Sequence, residues 1–176
     1  KKRWKPASKR SSQTCCLAQA SRAPREVKLR KIALAAEALV TLTYARFLVR
    51  CVPFSKFDKR LGDKKPGEVM PPPEVSAAQE TVVREVRRAI NRVNKVMGRP
   101  HNCLMLAIAG KTMLNRRGVP NTLIFGAGTD ASKGDKSFLA HAWLRVGVFI
   151  PFGSEEAAGY KGIMSCIHPV ATPPGR

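Results

Sequence analysis

From residue 26 onward the chain passes from long stretches with helical apolar spacing to short runs of apolar residues divided by turns. Glu26 to Val52 places Leu34, Leu39, Leu42, Phe47 and Leu48 on one side of a helix. Pro53, which lacks an amide N–H, ends it. A second helix is expected from Ser76 to Met97, where Val82, Val86, Ala89, Ile90, Val93 and Met97 recur at three- and four-residue steps. Arg84, Arg87, Arg88 and Arg92 fall on its remaining faces, Ser76 can cap its start, and Gly98 followed by Pro100 stops it. A third helix opens at Cys103 behind the capping residue Asn102 and closes at Gly118 and Pro120. Its first half, Cys103 to Gly110, is apolar almost all round, the pattern of a helix buried in a domain centre. Only its last turn, Asn115 to Arg117, is expected to be wet.

After Pro120 the period shortens. Thr122 to Phe125, Phe138 to Val146, Val148 to Phe152 and Tyr160 to Ile167 read as strands, with Gly126 to Ser137 as the longest turn between them. Helices followed by an antiparallel meander make an α+β domain. Residues 1–24 have no apolar period and read as a mobile basic tail. Gly62 to Pro73 is a Pro/Gly/charge linker that can be neither helix nor central strand. The expected division is therefore a tail at 1–24, a helix and Pro-rich linker at 25–73, a core at 74–170 and a C-terminal tail at 171–176. There is no internal repeat.

Composition adds one unusual fact. The apolar fraction of 44% is ordinary and can fill a core, but the 176 residues carry a net charge of +20. Residues 1–30 hold ten Lys/Arg against Glu26 alone, which leaves 22 basic against 11 acidic residues in the rest. Such a field attracts polyanions: nucleic acid, an anionic membrane face, or an acidic peptide or protein. Glu37, Arg46 and Arg50 interrupt the apolar stretch Ile32 to Val52, which argues against a membrane-spanning helix and leaves surface contact as the weaker option. No stretch in residues 1–24 fits a signal peptide. The five cysteines follow no zinc or disulfide framework, so a reducing, cytoplasmic setting is expected, with no cofactor and no metal.

Two residues carry chemistry. The unpaired amides and positive dipole end of a helix stabilise an anion, and the nucleophilic form of cysteine is an anion; Cys103 sits at such an end. His141 lies in the apolar strand Phe138 to Trp143, where an imidazole is costly unless something uses it. A central strand packed on the buried helix can bring His141 against Cys103 and activate the thiol. Each has a bland alternative: a buried structural thiol, and a core histidine bonded to a backbone carbonyl. His101 reads as an exposed loop histidine, His168 as surface, Trp143 as core or pocket wall, and Gly126–Ala127–Gly128 as no phosphate loop.

The run Asn102–Cys103–Leu104, then Leu114–Asn115–Arg116–Arg117–Gly118–Val119–Pro120, then Leu139–Ala140–His141–Ala142–Trp143–Leu144 resembles the lasso-peptide leader peptidases. These are cysteine proteases with a transglutaminase/papain-like core. The resemblance extends upstream to Ala45–Arg46–Phe47–Leu48–Val49–Arg50 and Val52–Pro53–Phe54, and downstream to Gly153 and Ala158–Gly159–Tyr160. It implies N-terminal helices followed by a buried central helix packed on an antiparallel sheet. It also implies removal of a leader from a ribosomally made precursor through an acyl-enzyme on Cys103, with His141 as base and then acid. Family members usually carry an Asp after the histidine strand, and Val148 to Glu156 contains none. Glu155, Ser154 or a backbone carbonyl is left to orient the ring.

The same resemblance implies partners: the precursor leader, a separate leader-recognition protein (residues 1–24 being too short and polar for a fused one), and the cyclase that closes the ring. Two other readings stay open, a non-catalytic module that grips leader or partner, and a nucleic-acid-binding protein suggested by charge alone and lacking a recognition motif. If the basic surfaces meet an acidic leader or partner, leader cleavage slows as salt rises; rates unchanged across a salt titration would overturn that expectation.

Overall fold

The computed structural model describes residues 24–70, 73–99, 101–129, 138–154 and 159–168. The proposed tail, apart from Pro24, and Glu155 lie outside them. Helix α1 spans Pro24–Cys51, and a short turn of helix, α2, follows Pro53 at Phe54–Phe57. Asp58–Leu61 makes a 3-10 turn, Asp63–Pro66 forms strand β1, α3 runs Ala77–Val96 and α4 runs Cys103–Asn115. The remaining strands are β2 Thr122–Thr129, β3 Phe138–Val146, β4 Phe149–Phe152 and β5 Lys161–Ile167. The α+β architecture expected from the sequence is the one observed.

The helix ends are made by local side-chain chemistry. Ser76 and Gln79 form a reciprocal capping box at α3, and the Asn102 side chain accepts the Met105 amide at 3.0 Å to cap α4. Gly98 and Gly118, at φ +76° and +62°, turn the chain away after α3 and α4 in a backbone conformation that glycine adopts without strain.

The sheet corrects the expected meander. Its order is β1-β5-β2-β3-β4, all antiparallel pairs, so β5 returns across the sheet to lie between β1 and β2. The linker supplies β1 as an exposed edge strand, held by backbone pairing of Asp63–Pro66 with Met164–Ile167. Strand β2 also runs four residues past Phe125, so Gly126–Ala127–Gly128 belongs to the strand rather than to the turn. The reason is contact: a Cβ on Gly126 would stand 2.4 Å from the Trp143 ring, and one on Gly128 would stand 2.8 Å from the Gly159 carbonyl. Glycine is used here to let rings and backbone lie flat on the strand.

Helix α4 occupies the centre, with α1 and α3 on one side and β2, β3 and β4 on the other. Met105, Ala107, Ile108, Ala109, Met113 and Leu114 are buried, and Gly110 touches Phe152 so closely that a Cβ would fall 2.4 Å from its ring. Helix α1 presents Ala38, Leu42, Ala45 and Leu48 to this core, whereas Leu39 and Phe47, expected to point inward, are exposed. From Ile32 to Ala45 the helix carries a single charge, Glu37, so small Ala38 and Ala45 allow close approach on a face that sequence contrast does not mark. By length and composition α1 could also cross a membrane; within the fold, Glu37 on it pairs with Arg117 at 2.5 Å and Arg116 at 3.3 Å beyond the end of α4.

The core also holds a charge that the apolar pattern of α4 conceals. Lys111 is 2% exposed and donates to Asn121 Oδ1 and to the Cys166 carbonyl, each at 3.2 Å. Burial pushes its ammonium down to about 8. Asn121, itself buried, donates to Asn115 Oδ1 at 2.6 Å and the Val119 carbonyl at 2.9 Å, so one residue ties the end of α4 to the start of β2.

Hydrogen bonds and charge from Arg117 and then Arg116 hold the Glu37 carboxyl below its ordinary 4.5. A carboxylate depressed in the fold stabilises it above the unfolded pKa and loses that contribution as pH falls through the folded one. Glu37→Gln should therefore cost about 1 kcal/mol at neutral pH. In urea titrations the gap from wild type should stay level above pH 4.5 and shrink below it; a gap that grows with acid would contradict the pairing.

Candidate active site

Cys103 is the first residue of α4 and half-buried. Of the amides in this first turn, Met105 is satisfied by the Asn102 side chain and Leu106 by the Asn102 carbonyl. The N–H groups of Cys103 and Leu104 have no acceptor among the described residues, as a helix start requires. They are donors available to an anion.

His141 sits on β3, 5% exposed, opposite Gly126 of β2. Its ring stacks on Trp143 at a 5.9 Å centroid distance and meets Tyr160 at 4.9 Å. The ring is held in plane as well. His141 Nε2 lies 3.0 Å from the Gly153 carbonyl oxygen. A carbonyl can only accept, so this contact puts the proton on Nε2 and, in the neutral ring, leaves the lone pair on Nδ1.

Gly153 can place its carbonyl there because it is glycine. Its φ is +81°, and a Cβ would stand 2.7 Å from the Ala142 carbonyl and 2.8 Å from Trp143 Cβ. Gly126 acts similarly from the other side, since its missing Cβ gives the Trp143 ring its place against the strand.

Cys103 and His141 open onto one cleft of about 260 Å³, lined also by Arg87, Asn91, Leu106, Pro151, Phe152, Gly153 and Ser154. The fold therefore brings together the two residues that sequence reading singled out. Ser154 is exposed at this cleft, and Glu155 lies outside the described residues. Two contributors were missed, Asn91 and Arg87; the backbone carbonyl left open as the ring's partner is that of Gly153, a contact that the bland reading of a core histidine also expects. The Arg-rich face of α3 was visible in the sequence, but its place beside the cysteine depends on how α3 packs on α4. Nothing local reveals that a carbonyl at 153 meets an imidazole at 141.

His101 differs from expectation. It is 7% exposed, and its Nδ1 donates to Asn94 Oδ1 at 2.8 Å, pinning the loop before Cys103 to the end of α3. Burial first, then the charges of Arg46 and Arg50, lower its basicity. His168 is half-buried rather than at the surface. Among the described residues no cluster of His, Cys, Asp and Glu could hold a metal ion.

This geometry predicts a thiol whose reactivity depends on the ring and on the residue that holds it. Alkylation of Cys103 by iodoacetamide at neutral pH, followed by peptide mass spectrometry, should slow about tenfold or more in His141→Ala. Gly153→Ala should slow it as well, while exposed Cys51 reacts at an unchanged rate in all three proteins. Equal Cys103 rates throughout would separate the two side chains.

A comparison with curated proteins and one with solved structures return no significant match. A family model described as transglutaminase-like superfamily matches residues 45–165, from the second half of α1 into β5. That span contains the cysteine, the histidine, α3, α4 and strands β2 to β4, in a superfamily that commonly includes cysteine peptidases and transglutaminases. The chain belongs to the transglutaminase-like superfamily.

Proposed function

We propose that this protein is a cysteine peptidase that removes the leader from a ribosomally synthesised lasso-peptide precursor, in the cytoplasm, with a separate recognition protein presenting the leader. One observation carries the peptidase half. Cys103, at a helix start with unclaimed amides, shares a cleft with His141, whose Nε2 donates to the Gly153 carbonyl. The precursor half is supported by the run from Asn102 to Pro120 and by the strand Leu139 to Leu144, which resemble the lasso leader peptidases.

The chemistry follows from the tautomer. Nδ1 of His141 takes the proton from Sγ of Cys103, and the thiolate attacks the carbonyl carbon of the scissile bond. The negative charge that develops on the carbonyl oxygen is met by the Cys103 N–H, with the Asn91 side-chain amide at the same cleft as a second donor. As the tetrahedral intermediate collapses, the C–N bond breaks and the Nδ1 proton passes to the leaving amine. A water then gives its proton to Nδ1 and its oxygen to the thioester carbon, releasing the acid and restoring the thiol. Gly153 keeps the Nε2 proton in place through both halves.

A second reading, a non-catalytic module of the same maturation complex, draws on the missing Asp after the histidine strand. One experiment separates the two. Precursor, recognition protein and this chain are mixed, and leader release is followed by mass spectrometry. Wild type should cleave, Cys103→Ala should not, and His141→Ala should lose about 10²–10⁴ in rate. Cleavage by Cys103→Ala at the wild-type rate would end the peptidase reading.

A further inference from the structure

A groove of about 550 Å³ runs between α3 and β4, lined by Arg84, Arg87, Arg88 and Arg92 on one wall and by Phe149 to Pro151 on the other. It joins the Cys103–His141 cleft, because Arg87, Asn91 and Pro151 line both. We propose that this groove is the substrate's flanking subsite, and that it takes an extended peptide segment carrying acidic side chains at alternate positions. The proposal rests on reading the cleft as a peptidase centre and adds the substrate class.

Charge balance is the first argument. Among the described residues, four guanidiniums line the groove against one carboxylate, Glu80, which already pairs with Arg84 at 3.3 Å. Arg87, Arg88 and Arg92 are exposed and form no ion pair among the described residues. Placing Arg84, Arg88 and Arg92 four residues apart sets like charges beside one another, which is unfavourable to an isolated helix. The basic side chains of this wall are all arginine, whose planar fork grips a carboxylate in two places where a lysine would offer a point charge. Arg84 is also held over the Phe149 ring, 5.8 Å from its centroid, so this guanidinium is positioned in advance.

Spacing is the second argument. Residues four apart on a helix rise about 6 Å, and alternate residues of an extended chain advance about 6.6 Å. A peptide lying along the groove would therefore set every second side chain near an arginine. The opposite wall is β4, the outermost strand on its side of the sheet among the described residues. A single-stranded nucleic acid is the less suitable polyanion, since among the described residues Phe149 is the one aromatic side chain lining the groove and successive bases need successive stacking platforms.

Binding is measured on the full chain carrying Cys103→Ala, so that turnover does not enter. The probe is a fluorescein-labelled decapeptide with glutamate at alternate positions, read by anisotropy at about 0.15 M salt. Its glutamine counterpart and a single-stranded oligonucleotide of equal charge are read alongside. The acidic peptide should bind about tenfold tighter than the glutamine peptide. Arg88→Gln with Arg92→Gln should remove most of that preference, and the lysine pair at these positions, which keeps the charge and the fold, should weaken it. Neutralising Lys59 and Lys65, exposed and outside the groove, should leave it within about twofold.

Equal binding of the two peptides, equal losses in both neutralised pairs, or tighter binding of the oligonucleotide would overturn the proposal. Cleavage with Cys103 restored separates it from the reading beneath it. Acid-selective binding, with leader release from the precursor by wild type and Cys103→Ala alike, sinks the peptidase reading and leaves the groove. Cleavage of both peptides with equal kcat/KM sinks the groove and leaves the peptidase.

Discussion

The whole arrangement depends on burying a helix on every side. With α1 and α3 over one face of α4 and the sheet over the other, side chains along its length are committed to packing. The close approach of Phe152 to Gly110 shows how little room remains. The far end is closed off by Asn121, Lys111 and the Glu37–Arg117 pair. The start of the helix is only partly covered, and the residue there is Cys103. A structural demand of the core thus places a thiol beside unpaired amides, where a charge can be tolerated.

How far this was legible in the sequence follows from the range of the forces involved. The starts of α3 and α4 were readable because Ser76 and Asn102 act within three residues of themselves. Cys103 and His141 were recognisable from their settings, one at a helix start and one an imidazole in an apolar strand. The inward face of α1 was misread because its stretch from Ile32 to Ala45, with Glu37 as its single charge, carries little contrast to read. The return of β5 between β1 and β2, the burial of His101 by Asn94 and the meeting of Gly153 with His141 are decided by residues distant in sequence or in space. Local alternation does not contain them. The glycine run at 126–128 misled for a related reason: glycine marks turns, but here it answers to the rings of Trp143 and Tyr160 on neighbouring strands.

Helix α3 joins the two halves of the argument. Val83, Val86 and Ile90 face the core and set its distance from α4, while the guanidinium side of the same helix looks across at β4. The loop that leads out of it is pinned by Asn94 and His101 immediately before the cysteine. One element therefore sets both the wall along which a chain could lie and the point at which that chain would meet the sulfur.

The carbonyl at position 153 has a consequence for how such centres change over time. Every amino acid carries a main-chain oxygen, so no replacement at this site deletes this contact to the imidazole. A replacement can only move it, because the mirror-image twist of the peptide there tolerates no side chain. In the proposed peptidase, the partner of the imidazole is thus set by a backbone shape. A lineage could exchange a carboxylate for it, or lose it again, while a column-by-column comparison of side chains recorded nothing more than a glycine.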